Sequence, residues 1–195
     1  MDSLLSNTEH KLNVFNYLTD ENLGWMKGCN AGIEASEDMD YVILANDDIL
    51  VPPANDWCDV MVETMEANKD IGALSCLSYN VGGWAKLSGQ TALMKGPYEV
   101  PYCVFYFVML RKEAIDKVGL LDDRMVGGDD LDYCIRLRDA GYKVAITPNV
   151  FIWHHYCQTG KRVYSDWDSE EMTFNITRGL IRKHGFSKFV YTRGL

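Results

Sequence analysis

The sequence predicts a mixed α/β domain, a mainly parallel sheet flanked by helices. Three observations carry the expectation. Short, uninterrupted apolar runs occur at residues 41–45, 71–77 and 104–110, the pattern of strands buried on both faces. Segments whose apolar residues fall at helical spacing alternate with them. Acidic residues gather where such runs stop or helices begin, and in open α/β sheets ligands bind at the carboxyl ends of strands.

In chain order, residues 11–18 alternate well enough for a strand, and residues 24–35 place Met26, Cys29, Asn30 and Ile33 on one helical face. The run Tyr41-Val42-Ile43-Leu44-Ala45 reads as a buried strand that stops at Asn46-Asp47-Asp48. Asp56 then stands where a cap belongs, ahead of a helix with Trp57, Val60, Met61 and Met65 that ends near Asn68. Residues 71–77 form the next strand. Residues 79–101 are rich in Gly and aromatics and read as irregular. A buried strand over 104–110 precedes a short helix over 113–118, which Gly119 closes. A helix opening at Asp129 or Asp130 and stopping at Gly141 leads into a strand over 143–147.

Composition bounds the function. With 195 residues, 47% of them hydrophobic and 24% charged, the chain can bury one good core. It is expected to be a single domain over 1–195, with its core over 11–157 and a helical tail over 158–195. A net charge of −9 excludes a nucleic-acid binder, which would need clustered Lys and Arg. A diphosphate ligand would therefore need local neutralisation, which a divalent metal held by acidic residues supplies. The opening residues lack the marks of a secretory signal, and the longest apolar stretch, residues 100–110, is too short for a transmembrane helix. Six scattered cysteines, without a Cys-x-x-Cys pair, read as reduced core thiols. A cytoplasmic protein is expected.

Three constellations have residue types suited to chemistry. Asn46-Asp47-Asp48 at the end of a buried strand offers hard oxygen ligands for Mg²⁺ or Mn²⁺. Its blander reading is a solvated turn. Gly127-Gly128-Asp129-Asp130-Leu131-Asp132 puts three acids at the head of a helix; simple capping explains one or two of them. A carboxylate there that faces a site could accept a proton from an acceptor hydroxyl. Trp153-His154-His155-Tyr156 offers two adjacent histidines that point to opposite sides of an extended chain, so at most one faces a metal. Trp84, Tyr98, Tyr102 and Trp153 could stack on sugars, with ordinary core packing as the commoner role.

Taken in order, these pieces resemble the inverting family-two glycosyltransferases of the GT-A, Rossmann-like fold. The matching segments are Asn22-Leu23-Gly24 with Asn30-Ala31-Gly32-Ile33, residues 41–48, Lys117-Val118-Gly119-Leu120-Leu121-Asp122, residues 128–137 running into Ala140-Gly141-Tyr142-Lys143, and His154. The resemblance implies that Asn46-Asp47-Asp48 is the DxD-like motif, with Asp48 as its metal contact and His154 completing the metal site. It implies that Asp129-Asp130 is the acidic pair, with Asp130 as catalytic base. Asn22, Gly24, Lys27, Asn30, Asn46, Asp47 and Gly128 fall to donor binding. Mn²⁺ or Mg²⁺ is the implied cofactor and a nucleoside-diphosphate sugar the implied donor; the acceptor is a glycan, a lipid-linked group or a protein. Asn46 departs from a frequent Asp. The family's opening strand, helix and strand, which hold the nucleotide base, have no counterpart, so an N-terminally shortened fold is expected. Its unfinished sheet edge invites pairing between copies.

Other readings keep parts of this picture. A GT-A-like module without catalysis would bind carbohydrate or serve structurally. A sugar nucleotidyltransferase would use a related sheet and a metal, but its Gly-rich basic loop is not visible. A metal-dependent hydrolase built on Asp48 and His154 leaves Asp129-Asp130 unexplained.

Overall fold

The computed structural model describes residues 2–8, 12–15, 23–53, 56–155 and 169–194. Seven α-helices and seven strands are found among them, besides two short 3-10 turns: α1 (Asp2–Ser6), α2 (Trp25–Glu34), β1 (Tyr41–Ala45), β2 (Ile49–Leu50), α3 (Trp57–Ala67), β3 (Ile71–Leu77), β4 (Tyr98–Glu99), β5 (Phe107–Arg111), α4 (Lys112–Val118), α5 (Asp129–Asp139), β6 (Lys143–Phe151), β7 (Trp153–His154), α6 (Glu170–His184) and α7 (Phe186–Arg193).

Five strands form one sheet in the order β1-β5-β3-β6-β4, and β2 pairs with β7 in a separate ladder. The expected mainly parallel sheet is corrected here. β3 and β6 pair in parallel, whereas β1 with β5, β3 with β5, and β4 with β6 are antiparallel. The apolar run gave no warning, because β5 is buried at every position and burial on both faces does not report direction. β1, β3 and β6 nonetheless point the same way, each flanking or following β5 in consistent register. Their carboxyl ends therefore share one edge of the sheet. α5 turns back through Gly141 (φ 91) into β6 and packs on it, which sets the N-terminus of α5 at that same edge.

The core lies between this sheet and its helices. Trp57, Met61 and Met65 on α3 are fully buried, and Trp57 meets Phe107 edge-on at 5.2 Å between ring centroids. Asp56 occupies the N-cap position of α3, but its side chain makes no capping bond. On α5, Tyr133, Cys134 and Leu137 face inward. Arg111 closes the far end of the sheet: buried, it donates from Nη2 to the Met65 carbonyl (2.6 Å) and from Nε to the Ile71 carbonyl (3.0 Å). Those bonds satisfy a charge that would otherwise be costly to bury.

Of the strand expected over 11–18, residues 12–15 form none. Val14 and Phe15 are adjacent and both exposed, against the alternation a half-buried strand requires. Phe15 lies beside α2 instead, its Cδ1 3.5 Å from where a Cβ on Gly32 would stand, an ordinary van der Waals distance. Residues 11 and 16–18 lie outside the described residues. The five described cysteines are free and buried, as expected; Cys157 lies outside. Among the described residues, no helix is long and apolar enough to cross a membrane.

Candidate active site

β1 brings the first constellation to the shared edge. Its ladder continues one step past Ala45, where the Asn46 amide donates to the Tyr106 carbonyl at 2.9 Å. Asp47 turns to solvent, and Asp48 is partly buried. The short β2–β7 ladder then pairs Ile49 with His154 and Leu50 with Trp153, reinforced by the His155 amide donating to the Asp48 carbonyl at 2.9 Å. β7 reaches this position because β6 slips register between Cys76 and Leu77 of its partner strand, an irregularity of the kind that re-aims side chains beside sites.

Asp48 and His154 meet as a result. His154 Nε2 stands 3.1 Å from Asp48 Oδ1 and 3.1 Å from Asn46 Nδ2. One nitrogen cannot donate to the carboxylate and accept from the amide at once, so the tautomer decides which bond forms. The ring is buried and stacks on Tyr106, 5.1 Å between centroids. Burial holds the imidazole below its ordinary pKa, and the Asp48 carboxylate opposes this. His155 is exposed, so the two histidines part as the strand geometry requires; Tyr156 lies outside the described residues. Among the described residues, no group of three or more His, Cys, Asp or Glu converges as a metal cage.

The three acids at the head of α5 separate into different roles. Asp129 Oδ2 accepts a hydrogen bond from Trp25 Nε1 at 3.1 Å, reaching across from the first residue of α2. Asp130 is partly buried, and its Oδ1 accepts from the Leu131 amide at 2.7 Å. Burial and the neighbouring Asp129 charge raise its pKa to about 7. Asp132 is fully buried in an ion-pair cluster with Lys183 Nζ (2.6 Å), His184 Nε2 (2.7 Å) and Arg136 Nε (2.9 Å). Burial alone would raise its pKa, but Lys183, Arg136 and His184 outweigh it and hold the carboxyl below its usual range. Asp132 thus fastens α6 to α5.

The Gly-Gly pair serves this packing. Gly128 caps α5 in the left-handed conformation (φ 74, ψ 20), and a Cβ on it would come within 2.9 Å of Ile176 and Leu180 of α6; one on Gly127 would meet Ile176 at the same distance. The glycines let α6 lie against the loop that carries Asp129 and Asp130. The requirement comes from a helix some fifty residues later, so the local sequence carried no sign of it.

The remaining expected donor contacts divide. Gly24 opens α2 at φ 84, and Lys27 is exposed on that helix. Asn30 is a brace: its Nδ2 donates to the Leu121 carbonyl and its Oδ1 accepts from the Leu121 amide, both at 2.9 Å. Asn22 lies outside the described residues. Segment 102–106 connects the two constellations, with Tyr106 against His154 and Tyr102 near enough to Asp130 and Arg193 to feel both charges. Trp25, Tyr106 and Arg193 were not read from the sequence as site residues, and an aromatic or a terminal arginine without a motif gives no signal there. Of the aromatics considered for sugar stacking, Tyr102 is buried, Tyr98 bonds the Trp84 carbonyl (2.9 Å), and Trp153 stacks in parallel on exposed Tyr79 at 5.7 Å.

No protein-family model and no curated protein matches the chain. Solved structures do. A mannosyltransferase from Pyrobaculum calidifontis, PcManGT, solved with GDP-Man and Mn²⁺, superposes with a TM-score of 0.58 at 17% identity, over 86% of this chain and 46% of its own. GalNAc-T7, solved with UDP, GalNAc and Mn²⁺, gives 0.56 at 16% identity, over 70% of this chain and 31% of its own. TarS of S. aureus (1–349) gives 0.54 at 10% identity, over 87% and 54%. The chain thus spans roughly half or less of the chains it matches, and its fold is that of the GT-A glycosyltransferases.

Proposed function

We propose that this chain, which has the GT-A glycosyltransferase fold, is a metal-dependent inverting glycosyltransferase that moves a sugar from a nucleoside-diphosphate sugar to an acceptor hydroxyl. The observation that carries the reading is the 3.1 Å approach of His154 Nε2 to Asp48 Oδ1 at the carboxyl end of β1. Mg²⁺ commonly takes one or two carboxylates with substrate phosphates completing its shell, and a carboxylate and an imidazole brought together at a strand's end are donors that such an ion would accept. Asp48 and His154 therefore fit Mn²⁺ or Mg²⁺ as a partial site that a diphosphate would complete. When bound, such an ion supplies positive charge beside the leaving diphosphate. PcManGT and GalNAc-T7, the structural neighbours solved with Mn²⁺, support the same assignment.

In this reading the chain's own residues act as follows. Asp130, poised near neutrality by its burial and by Asp129, takes the proton of the acceptor hydroxyl. The acceptor oxygen forms its bond to the anomeric carbon as the bond from that carbon to the diphosphate oxygen breaks, and the electron pair leaves with the nucleoside diphosphate. Attack from the face opposite the leaving group inverts the anomeric centre. Asn46 Nδ2 can donate to His154 Nε2 only while that nitrogen holds no ion, so the amide would give up this bond when the ion enters.

A thermal-shift panel of uridine, guanosine, thymidine and cytidine diphosphates, with and without Mn²⁺, tests the reading, since a ligand that binds only the folded state raises its melting temperature. A metal-dependent shift with one base, abolished in Asp48→Ala, is the expected result. No shift with any of them in the intact chain overturns it.

A further inference from the structure

We propose that Trp25 is a positioning residue for the acidic pair: its indole N–H holds Asp129 as the charged member and leaves Asp130 as the group that gains and loses the proton. The inference rests on the assignment of Asp130 as the base and adds to it a residue on a distant element.

The geometry is specific. Trp25 is the first residue of α2, and α2 begins immediately after Gly24, whose φ of 84 swings the chain into the helix. The indole Nε1 meets Asp129 Oδ2 at 3.1 Å, a bond that spans 104 residues of sequence. An indole nitrogen can only donate, so this bond favours the carboxylate form of Asp129 over the acid. The two carboxyls are adjacent in the first turn of α5 and partly removed from water. Two such groups do not ionise independently; they share protons as a pair. A donor fixed on one of them decides where the negative charge resides at neutral pH.

The other groups around the pair agree with this division. Asp130 faces Asp129 from its own helix, Arg193 from α7, and Tyr102 and Cys103 from the segment before β5. Asp129 faces Asp132 on α5 and Cys29 on α2. Burial raises both carboxyls; the Trp25 bond opposes this at Asp129, and the Leu131 amide and Arg193 oppose it at Asp130. Trp25 and Arg193 therefore pull the shared proton in opposite senses. Trp25 draws charge to Asp129, which pushes the proton toward Asp130. Arg193 draws charge to Asp130.

The test is a carboxyl-carbon NMR titration of Asp129 and Asp130 in the intact chain, beside Trp25→Phe, which keeps an aromatic ring of similar bulk and removes the N–H, and Arg193→Gln. Trp25→Phe is expected to lower the Asp130 midpoint by about half a pH unit to one unit while the Asp129 midpoint rises, a shift on the scale of one charged hydrogen bond that is partly open to water. Arg193→Gln is expected to raise the Asp130 midpoint. The pH dependence of kcat/KM should follow the same two directions. An unchanged Asp130 midpoint in folded Trp25→Phe overturns the proposal, as does a shift in the same direction in both variants. The expected NMR shifts without sugar transfer by any form would uphold the role of Trp25 and sink the assignment of Asp130 as a catalytic base.

Discussion

Gly128 and Leu180 touch across the seam between α5 and α6 so closely that a Cβ on the glycine would stand 2.9 Å from Leu180 Cδ1. Gly128 also holds φ at 74, in the left-handed region that residues with a Cβ rarely occupy. The turn that presents Asp129 and Asp130 is thus shaped from two sides, by its own backbone and by the helix lying on it.

Gly128→Ala should be the more damaging of the two glycine substitutions. It meets both a backbone penalty and two side chains of α6, and a loss of about 2–4 kcal/mol in urea unfolding is expected. Gly127→Ala meets only the Ile176 side chain, chiefly its flexible Cδ1 end, and should cost about 1 kcal/mol. Equal losses would show that the seam does not select for glycine in this way.

Asp130→Asn should separate activity from stability. If Asp130 is the base, transfer falls by about two to four orders of magnitude. Its stability effect has the opposite sign. The folded carboxyl titrates at about 7, whereas the unfolded one titrates at about 4. Between those values the unfolded chain has released a proton that the folded chain still binds, so stability falls as pH rises through this window. Asp130→Asn removes that contribution, and its melting temperature relative to the parent should climb from pH 4 to pH 7.5. A constant difference over that range would refute the argument.

Asp132 behaves in the reverse manner. Its carboxyl is held low by Lys183, Arg136 and His184 against the cost of burial, so its contribution is present above the usual aspartate pKa and disappears as the pH falls below it. Asp132→Ala takes the buried carboxylate away from Arg136 and His184, while Lys183 keeps Asp122, and should cost about 3 kcal/mol at pH 7. The exposed pair of Lys188 and Asp139 provides the contrast, and Asp139→Ala should cost less than about 1 kcal/mol. Chemical unfolding at low and high salt would distinguish them, since salt weakens the exposed pair more.

Asn46→Asp should tighten divalent metal binding. It replaces an amide that stands 3.1 Å from His154 Nε2 with a second carboxylate near Asp48, and ligand charge sets affinity at oxygen-rich sites. A several-fold gain in Mn²⁺ affinity by calorimetry is expected, with His154→Ala showing a loss. No gain in the first variant would mean that the ion, if bound, lies away from the Asn46 side chain.

Elements whose signal is local were legible in the sequence. β1 and β3 fall where their apolar runs stand, and α3 and α5 where period and flanking residues place them, because a strand buried on both faces and an amphipathic helix write their burial into neighbouring residues. Strand direction was not legible, since β5 runs against β1 and β3 while sharing their composition. Nor was the two-residue ladder of β2 with β7, too short to carry a period, yet it is what brings Asp48 to His154. In the acidic cluster, residue type was legible and role was not: Asp130 accepts from the Leu131 amide at the head of α5, Asp129 answers to Trp25, and Asp132 belongs to a structural clasp with partners from α6.

The placement of β5 between β1 and β3 has a consequence for synthesis on the ribosome. β1 and β3 are made first, yet every sheet partner described for either of them, β5 or β6, comes later in the chain. Until residues 107–111 emerge, both apolar strands must wait unpaired, and such a delay exposes a nascent chain to collapse and aggregation. Helix α3, which lies between them in the chain and packs on β3, can cover that strand meanwhile with Trp57, Met61 and Met65. A helix whose final place is against the core would thus serve first as a chaperone in cis.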